Sequence, residues 1–124
     1  MAEGTFLVKY QGSSELAGGW SLSLDLVIDR PNNKASGKAT LTRAVLESES
    51  VDFPPVAGPV ITMATMNDLH YGLRLESDRK LMGRSIEVNA VVGKEWKSGE
   101  AIVHAFLDTP GGTVMFHARI EQVA

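Results

Sequence analysis

The sequence predicts an all-β antiparallel domain, an up-and-down barrel or a sandwich of about eight strands. Two observations predict it: apolar and polar residues alternate along most of the chain, and turn-forming segments separate the alternating runs. A period of two indicates a strand with one buried face. Because short turns join most neighbouring strands, the barrel is favoured over the sandwich.

Bulk properties bound the class of protein. The chain has 124 residues, which suits one domain over residues 1–124. The net charge is −3 and no lysine or arginine run occurs, which argues against a nucleic-acid partner. The absence of cysteine excludes disulfides, zinc–thiolate sites and thiol nucleophiles.

No apolar run reaches the length of a membrane helix, about 18 residues, so no membrane span is expected. The first residues lack the basic start and apolar run of a secretory signal, so we expect a cytoplasmic location.

Six runs alternate clearly, and each is predicted to bury residues of one parity. The predicted inward residues are Phe6, Val8 and Tyr10; Leu22, Leu24, Leu26 and Ile28; Leu69, Tyr71, Leu73 and Leu75; Ile86, Val88, Ala90 and Val92; Ala101, Val103, Ala105 and Leu107; and Val114, Phe116, Ala118 and Ile120. Further strands are predicted at residues 34–45 and 60–65, with a helical turn as an alternative near residues 42–49.

Turn signals lie at "RPNNK" (30–34), "MND" (66–68) and "TPGG" (109–112), which are predicted hairpin connectors. The segment "FPPVAGP" (53–59) contains three prolines. Proline cannot donate to a strand ladder, so this segment is predicted to be an extended crossing or an edge segment.

Both tryptophans are predicted to close an end of the interior. Trp96 shares the inward parity of the preceding strand, and a two-residue turn at Lys97-Ser98 would place it opposite Gly99. Trp20 has the inward parity of the strand that it begins. The alternative is that Trp20 and Trp96 line the mouth of a ligand pocket and stack on a sugar or flat ring.

The "TPGG" hairpin predicts the register of the last two strands. Pairing Thr109 with Gly112 places His104 directly opposite His117 on the outer face. A metal site needs further ligands, and the third histidine, His70, lies two strands away, so no metal is expected. Three apolar residues make this face less polar than a solvated one, which favours a subunit or partner contact: Ile102, Phe106 and Met115.

No catalytic motif is present. The chain lacks a Gly-x-Ser-x-Gly elbow, a phosphate-binding glycine loop and a His-Glu-x-x-His helix, so no catalytic residue or cofactor is predicted. The acidic run "ESESVD" (47–52) fits a solvated surface, and the strand carboxylates Asp25, Glu87 and Glu100 have outward parity.

Several segments resemble a known family. "ASGKATLTRAV", "FPPVAGPVITM" and "EVNAVVGKEWKSGEAIVHAF" are similar to the bacterial family called domain of unknown function 1842, over residues 20–107. The matching positions are Gly37, Pro54, Pro55, Glu95, Trp96, Ser98, Gly99 and Ala101. The family carries no assigned activity; the resemblance implies a small bacterial β-domain and a structural role for Trp96.

Three functions follow, in order. The first is a non-catalytic binding or interaction module, self-associating as a homodimer through an outer sheet face that includes His104 and His117. The second is a barrel that binds a small apolar or carbohydrate ligand at a mouth lined by Trp20 and Trp96. The third is an enzyme of unknown type.

Overall fold

The computed structural model describes residues 4–14, 19–43, 49–64, 68–77, 84–107 and 113–123. These residues form nine strands: β1 (Thr5–Ser14), β2 (Trp20–Asp29), β3 (Lys34–Arg43), β4 (Glu49–Asp52), β5 (Val56–Ala64), β6 (Leu69–Ser77), β7 (Ser85–Gly93), β8 (Ser98–Phe106) and β9 (Thr113–Gln122).

The strands form one closed antiparallel sheet. With β4 set aside, each strand pairs with the next strand in the chain, so that β3 pairs with β5. The pairing of β1 with β9 closes a barrel of eight strands. The short strand β4 pairs with the second half of β3, beside β5, which pairs with its first half. The prediction of an up-and-down barrel is confirmed, and the sandwich is not formed.

The proline-rich segment is only partly as predicted. Phe53 to Pro55 separate β4 from β5, but residues 56–59 belong to β5, which is flanked by β3 and β6. The prediction that residues 53–59 cross or edge the sheet is therefore wrong for its second half. The sheet tolerates Pro59 because neither Gly58 nor Pro59 pairs with β6, so the proline falls at a gap in that ladder.

The predicted turns, the strand at residues 34–45 and the helical turn at residues 42–49 lie only partly within the described residues. The turn at residues 30–33 is confirmed, and β3 spans Lys34–Arg43, whereas residues 44 and 45 of the predicted strand lie outside the described residues. Of the predicted helical turn at residues 42–49, Thr42 and Arg43 are in β3 and Glu49 begins β4, whereas residues 44–48 lie outside the described residues. The "TPGG" turn and Met66 also lie outside them.

The predicted faces are confirmed on all six alternating strands. Most of the inward residues form one buried cluster, with partly buried Phe6, Trp20, Tyr71, Val114 and Phe116 packed against it. An eight-stranded barrel has an interior just wide enough for such side chains to fill. The largest fully buried side chains include Tyr10, Leu22, Leu24, Ile28 and Ile120.

Four inward positions hold glycine, and there the backbone of a neighbouring strand approaches closely. A Cβ at each would run into a backbone carbonyl of the neighbouring strand, so a side chain does not fit. The pairs are Gly12 with Arg119, Gly37 with Asp25, Gly58 with Arg74, and Gly99 with Val91.

Candidate interaction surface

The register of β8 and β9 differs from the predicted one by two residues. His104 lies opposite Met115, and His117 lies opposite Ile102. The predicted pairing of His104 with His117 is therefore wrong. The last pair of the ladder is Phe106 with Thr113, and the predicted turn at residues 109–112 lies outside the described residues. A shift of two preserves the side-chain period, so every residue keeps its predicted face.

The five predicted interface residues lie together on the outer face of β8 and β9. Ile102 is 53% exposed and Met115 is 66% exposed. His104 and Phe106 are half-buried and their rings are in contact, with centroids 4.5 Å apart. His117 is exposed and its Nε2 lies 3.7 Å from Glu100 Oε1.

The apolar character of this face continues onto strands that the sequence analysis did not include. Val91 of β7 and Ile61 of β5 are also exposed, and both lie opposite Gly72 of β6. We call Ile61, Val91, Ile102 and Met115 the outer apolar stripe. Its signal in the sequence is the pairs Val60-Ile61 and Val91-Val92, because two consecutive apolar residues in a strand place one on the outer face.

Charged residues flank the stripe on both sides. Arg74 and Glu76 lie along β6, with Nε and Oε1 3.7 Å apart, and Glu87 lies opposite His104. On the other side Arg119 lies opposite Glu100. Among the described residues, no three His, Asp or Glu side chains are grouped so that they could hold a metal ion.

The outer face of β1 to β3 is chemically different. Opposite residues there are largely hydroxyl pairs and charge pairs, such as Ser13 with Ser21 and Asp25 with Lys38. The Ser13 and Ser21 Oγ atoms are 3.0 Å apart. Leu7 and Val27, which lie opposite each other, are its exposed apolar residues. The barrel therefore has one hydroxyl-rich side and one apolar side.

Trp96 closes one end of the barrel, as its parity predicted. It is 4% exposed. The indole stacks on Tyr71, with centroids 4.3 Å apart, and meets Phe6 edge-on at 5.3 Å. The Arg30 guanidinium lies 4.7 Å from the centre of the Tyr71 ring.

Hydrogen bonds to two backbone carbonyls hold the turn that carries Trp96. The buried Tyr10 hydroxyl donates to the Trp96 carbonyl at 2.8 Å, and burial raises the pKa of Tyr10 well above its ordinary value. The Gln122 N–H donates to the Lys97 carbonyl at 2.6 Å. Periodicity finds the inward Tyr10 but does not identify this hydrogen bond.

The predicted turn at Lys97-Ser98 is wrong. Gly99 pairs with Val92, so the β7–β8 turn spans residues 94–97 and contains Trp96. Trp96 has a φ of 63°, in the left-handed region. Its N–H donates to the Gly93 carbonyl at 3.0 Å.

Trp20 lies at the opposite end of the barrel. It begins β2 opposite Arg43, whose guanidinium is 4.7 Å from the centre of the Trp20 ring. Phe6, which touches Trp96, lies opposite Ile28. Ile28 is eight residues from Trp20 along β2, roughly 26 Å at the rise of a strand.

The prediction of one ligand mouth lined by Trp20 and Trp96 is therefore wrong, because the rings lie at different ends. Neither ring lines the groove of about 710 Å³ on the outer side of the barrel, whose lining includes Val27, Asp29, Lys34, Ala57 and Pro59.

These features define a small antiparallel barrel with an aromatic seal at one end and an apolar stripe on one side. The chain belongs to the family described as a domain of unknown function (DUF1842), which matches residues 3–109. The resemblance inferred from the sequence is confirmed, and the match begins earlier in the chain than expected.

No curated protein was found to match the chain. Within the described residues, no helix is long and apolar enough to cross a membrane.

Proposed function

We propose that this protein is a non-catalytic interaction module that self-associates through the outer faces of β7, β8 and β9. One observation carries the proposal: the outer apolar stripe places four exposed apolar side chains on one side of the barrel, on β5, β7, β8 and β9. Exposed apolar side chains grouped on one side of a domain are typical of contact sites.

The stripe has the composition of an interface core with a polar rim. Ile102 and Met115 supply apolar contact area. Removing this area from water on association is favourable. His104, Phe106 and His117 lie beside them and supply aromatic edges and hydrogen-bonding groups. Interfaces commonly combine an apolar centre with a polar, wetter border.

The stripe has no role in the fold of its own chain that would explain its composition. The side chains point away from the buried cluster, and the equivalent positions on β1 to β3 are mostly hydroxyl or charged. Polar residues are therefore compatible with the outward positions of this barrel. The fold does not explain the apolar side chains of the stripe, and this supports a contact function.

The proposal predicts that Ile102→Glu makes the protein monomeric. A buried, unpaired carboxylate at the centre of the contact costs several kcal/mol, so we expect the dimer dissociation constant to rise by roughly a hundredfold or more. Sedimentation velocity over a concentration series measures this constant.

Leu7→Glu is the matched control, because Leu7 is 76% exposed but lies on the hydroxyl-rich side. It should leave the dissociation constant of wild type unchanged. A wild-type protein that stays monomeric at every concentration, or equal effects of Ile102→Glu and Leu7→Glu, would contradict the proposal.

A further inference from the structure

The second half of β5 has an open edge. Residues 56–59 of β5 pair with residues 34–37 of β3, and that ladder goes no further. Residues 61–64 pair with β6 on one side. Among the residues that the structure describes, none pairs with residues 61–64 on the other side. The β5–β6 hairpin therefore extends beyond the start of β3 and presents backbone hydrogen-bonding groups along one edge.

The backbone groups on this edge follow from one hydrogen bond. The Val60 N–H donates to the Asn33 carbonyl at 2.8 Å, so the backbone groups of Val60 face the β3 side. Because the direction of these groups alternates along a strand, those of Thr62 and Ala64 face the same side, whereas Met63 faces β6. The open edge therefore offers two residues, each with an N–H donor and a carbonyl acceptor, at the spacing that a further strand requires.

The open edge lacks the features that keep exposed strands from pairing. Natural edge strands are protected by lysine, proline, charged side chains or bulges. Residues 61–64 contain neither a charge nor a proline, and they pair with β6 without a bulge. Their side chains are all exposed. An extended polypeptide that adds as a further strand is therefore the partner that this edge fits.

The β2–β3 turn closes one end of the open edge. Asn33 occupies the position beside Val60, where an added strand would otherwise continue. This arrangement favours a chain end over an internal strand, because an internal strand would have to turn away within one residue of its pair with Thr62. β5 runs away from Asn33, so an antiparallel strand would have its C-terminal end there and a parallel strand its N-terminal end.

Arg30 places a positive charge at the closed end. Its Nη1 donates to Asn33 Oδ1 at 3.3 Å, and its guanidinium lies 4.7 Å from the centre of the Tyr71 ring. Both partners are uncharged, and the adjacent carboxylate of Asp29 accepts hydrogen bonds from the turn instead. Tyr71 lies opposite Thr62, so the guanidinium is held between the closed end and the first open residue. A guanidinium binds a carboxylate and repels an ammonium group, which selects the antiparallel orientation.

We propose that the open edge of β5 binds the C-terminal peptide of a partner protein, added as an antiparallel strand with its α-carboxylate at Arg30. The penultimate residue of the peptide pairs with Thr62 through two backbone hydrogen bonds. The last and third-last residues lie beside Ile61 and Met63, which are exposed and apolar. Apolar residues are therefore expected at these two peptide positions. This contact is separate from the self-association proposed for β7 to β9.

Proline substitution tests the open edge itself. The Thr62 N–H does not face β6, so Thr62→Pro keeps the β5–β6 ladder and removes a donor from the open edge. Met63→Pro is the matched control, because its N–H faces β6 and its loss breaks the ladder. Urea unfolding should show a clearly larger fall in midpoint for Met63→Pro than for Thr62→Pro. Equal falls would overturn the assignment of the open edge.

A displayed library of random heptapeptides with free C-termini, selected on the full-length protein, supplies the probe. The enriched peptides, synthesised with a fluorescent label, should bind wild type at least about tenfold more tightly than Thr62→Pro. Arg30→Gln should weaken the same binding by about tenfold, and so should amidation of the peptide C-terminus. A library that yields no peptide, equal binding to wild type and Thr62→Pro, or an amide that binds as tightly as the acid would overturn the proposal.

Ile102→Glu separates this contact from self-association. It lies on β8, away from the open edge, so peptide affinity should equal that of wild type. A peptide that binds both proteins equally leaves this proposal standing even if the unmodified protein is a monomer. If sizing instead shows a wild-type dimer that Thr62→Pro abolishes, a second copy occupies the open edge and the C-terminal peptide is refuted.

Discussion

Trp96 combines an unfavourable backbone conformation with a favourable burial. Its φ of 63° lies where Asn33, at 51°, is an ordinary occupant and a tryptophan is not. The left-handed conformation costs roughly 1–2 kcal/mol in a residue with a Cβ. Burying an indole of about 200 Å² at about 25 cal/mol per Å² outweighs this cost.

The hydroxyl of Tyr10 also stabilises this end of the barrel, because it donates a hydrogen bond to the Trp96 carbonyl. We predict that Tyr10→Phe lowers the free energy of unfolding by about 1–3 kcal/mol, because it leaves the buried Trp96 carbonyl without its donor. Urea unfolding measures the change. Tyr71→Phe is the control: it keeps the stacked ring, and we expect a change within about 0.5 kcal/mol. Equal losses in both variants would contradict the assignment.

The same variant has a pH signature. Burial raises the pKa of Tyr10 in the folded state. A group with a raised folded pKa contributes its stability below its unfolded pKa, about 10, and loses it as the pH rises further. The wild-type protein should therefore lose more stability than Tyr10→Phe above about pH 10. Parallel stability–pH curves for the two proteins would contradict this expectation.

Residue parity predicted that Trp96 points inward but not how it does so. The count along β7 is valid only while the chain remains a strand, and β7 ends at Gly93. Trp96 reaches the interior through the turn and its left-handed backbone. The contact between Tyr10 and Trp96 joins residues 86 positions apart, so local patterning could not predict it.

At the scale of the strands, the alternation determined faces but not registers. The six predicted inward faces are those of the structure, since a strand in a closed barrel has one side in the core. A shift of two residues leaves every face unchanged, so alternation cannot distinguish His104 opposite His117 from His104 opposite Met115. The position of the turn decides the register, and the pairing of Phe106 with Thr113 fixes it two residues away from the predicted one.

The inward glycines give a prediction at the same scale. Gly99→Ala should lower the free energy of unfolding by about 1–3 kcal/mol, because the new methyl group meets the Val91 carbonyl of β7. Thermal and urea unfolding measure the loss. Gly93→Ala, at the end of β7, is the control, since nothing lies within 4 Å of its Cβ position. If both variants lost similar free energy of unfolding, the close approach of the Val91 carbonyl would not be the reason for glycine at position 99.

At the scale of the whole molecule, the sequence predicted closure but not the division of the outer surface. Short connections between successive strands were sufficient to favour a meander, and β1 pairing with β9 completes it. The stripe became visible only when the barrel brought Ile61, Val91, Ile102 and Met115 to one side of the sheet. These residues span positions 61 to 115, and no sequence window contains them together.

Closure also explains why two separate tryptophans cannot share a ligand. Trp20 and Trp96 both occupy inward positions, as predicted, but strands of nine or ten residues set the barrel ends far apart. The parity of a residue gives its side of the wall and not its height along the barrel axis. The height follows from the pairings of Trp20 with Arg43 and of Phe6 with Ile28.

Methyl nuclear magnetic resonance spectra of the unmodified protein over a concentration series test the central claim most directly. If the outer face of β7 to β9 is the contact, the Val91, Ile102 and Met115 methyl signals shift or broaden as the concentration rises, while those of Leu7 and Val27 stay constant. Changes confined to Leu7 and Val27, or no changes at any concentration, would contradict it.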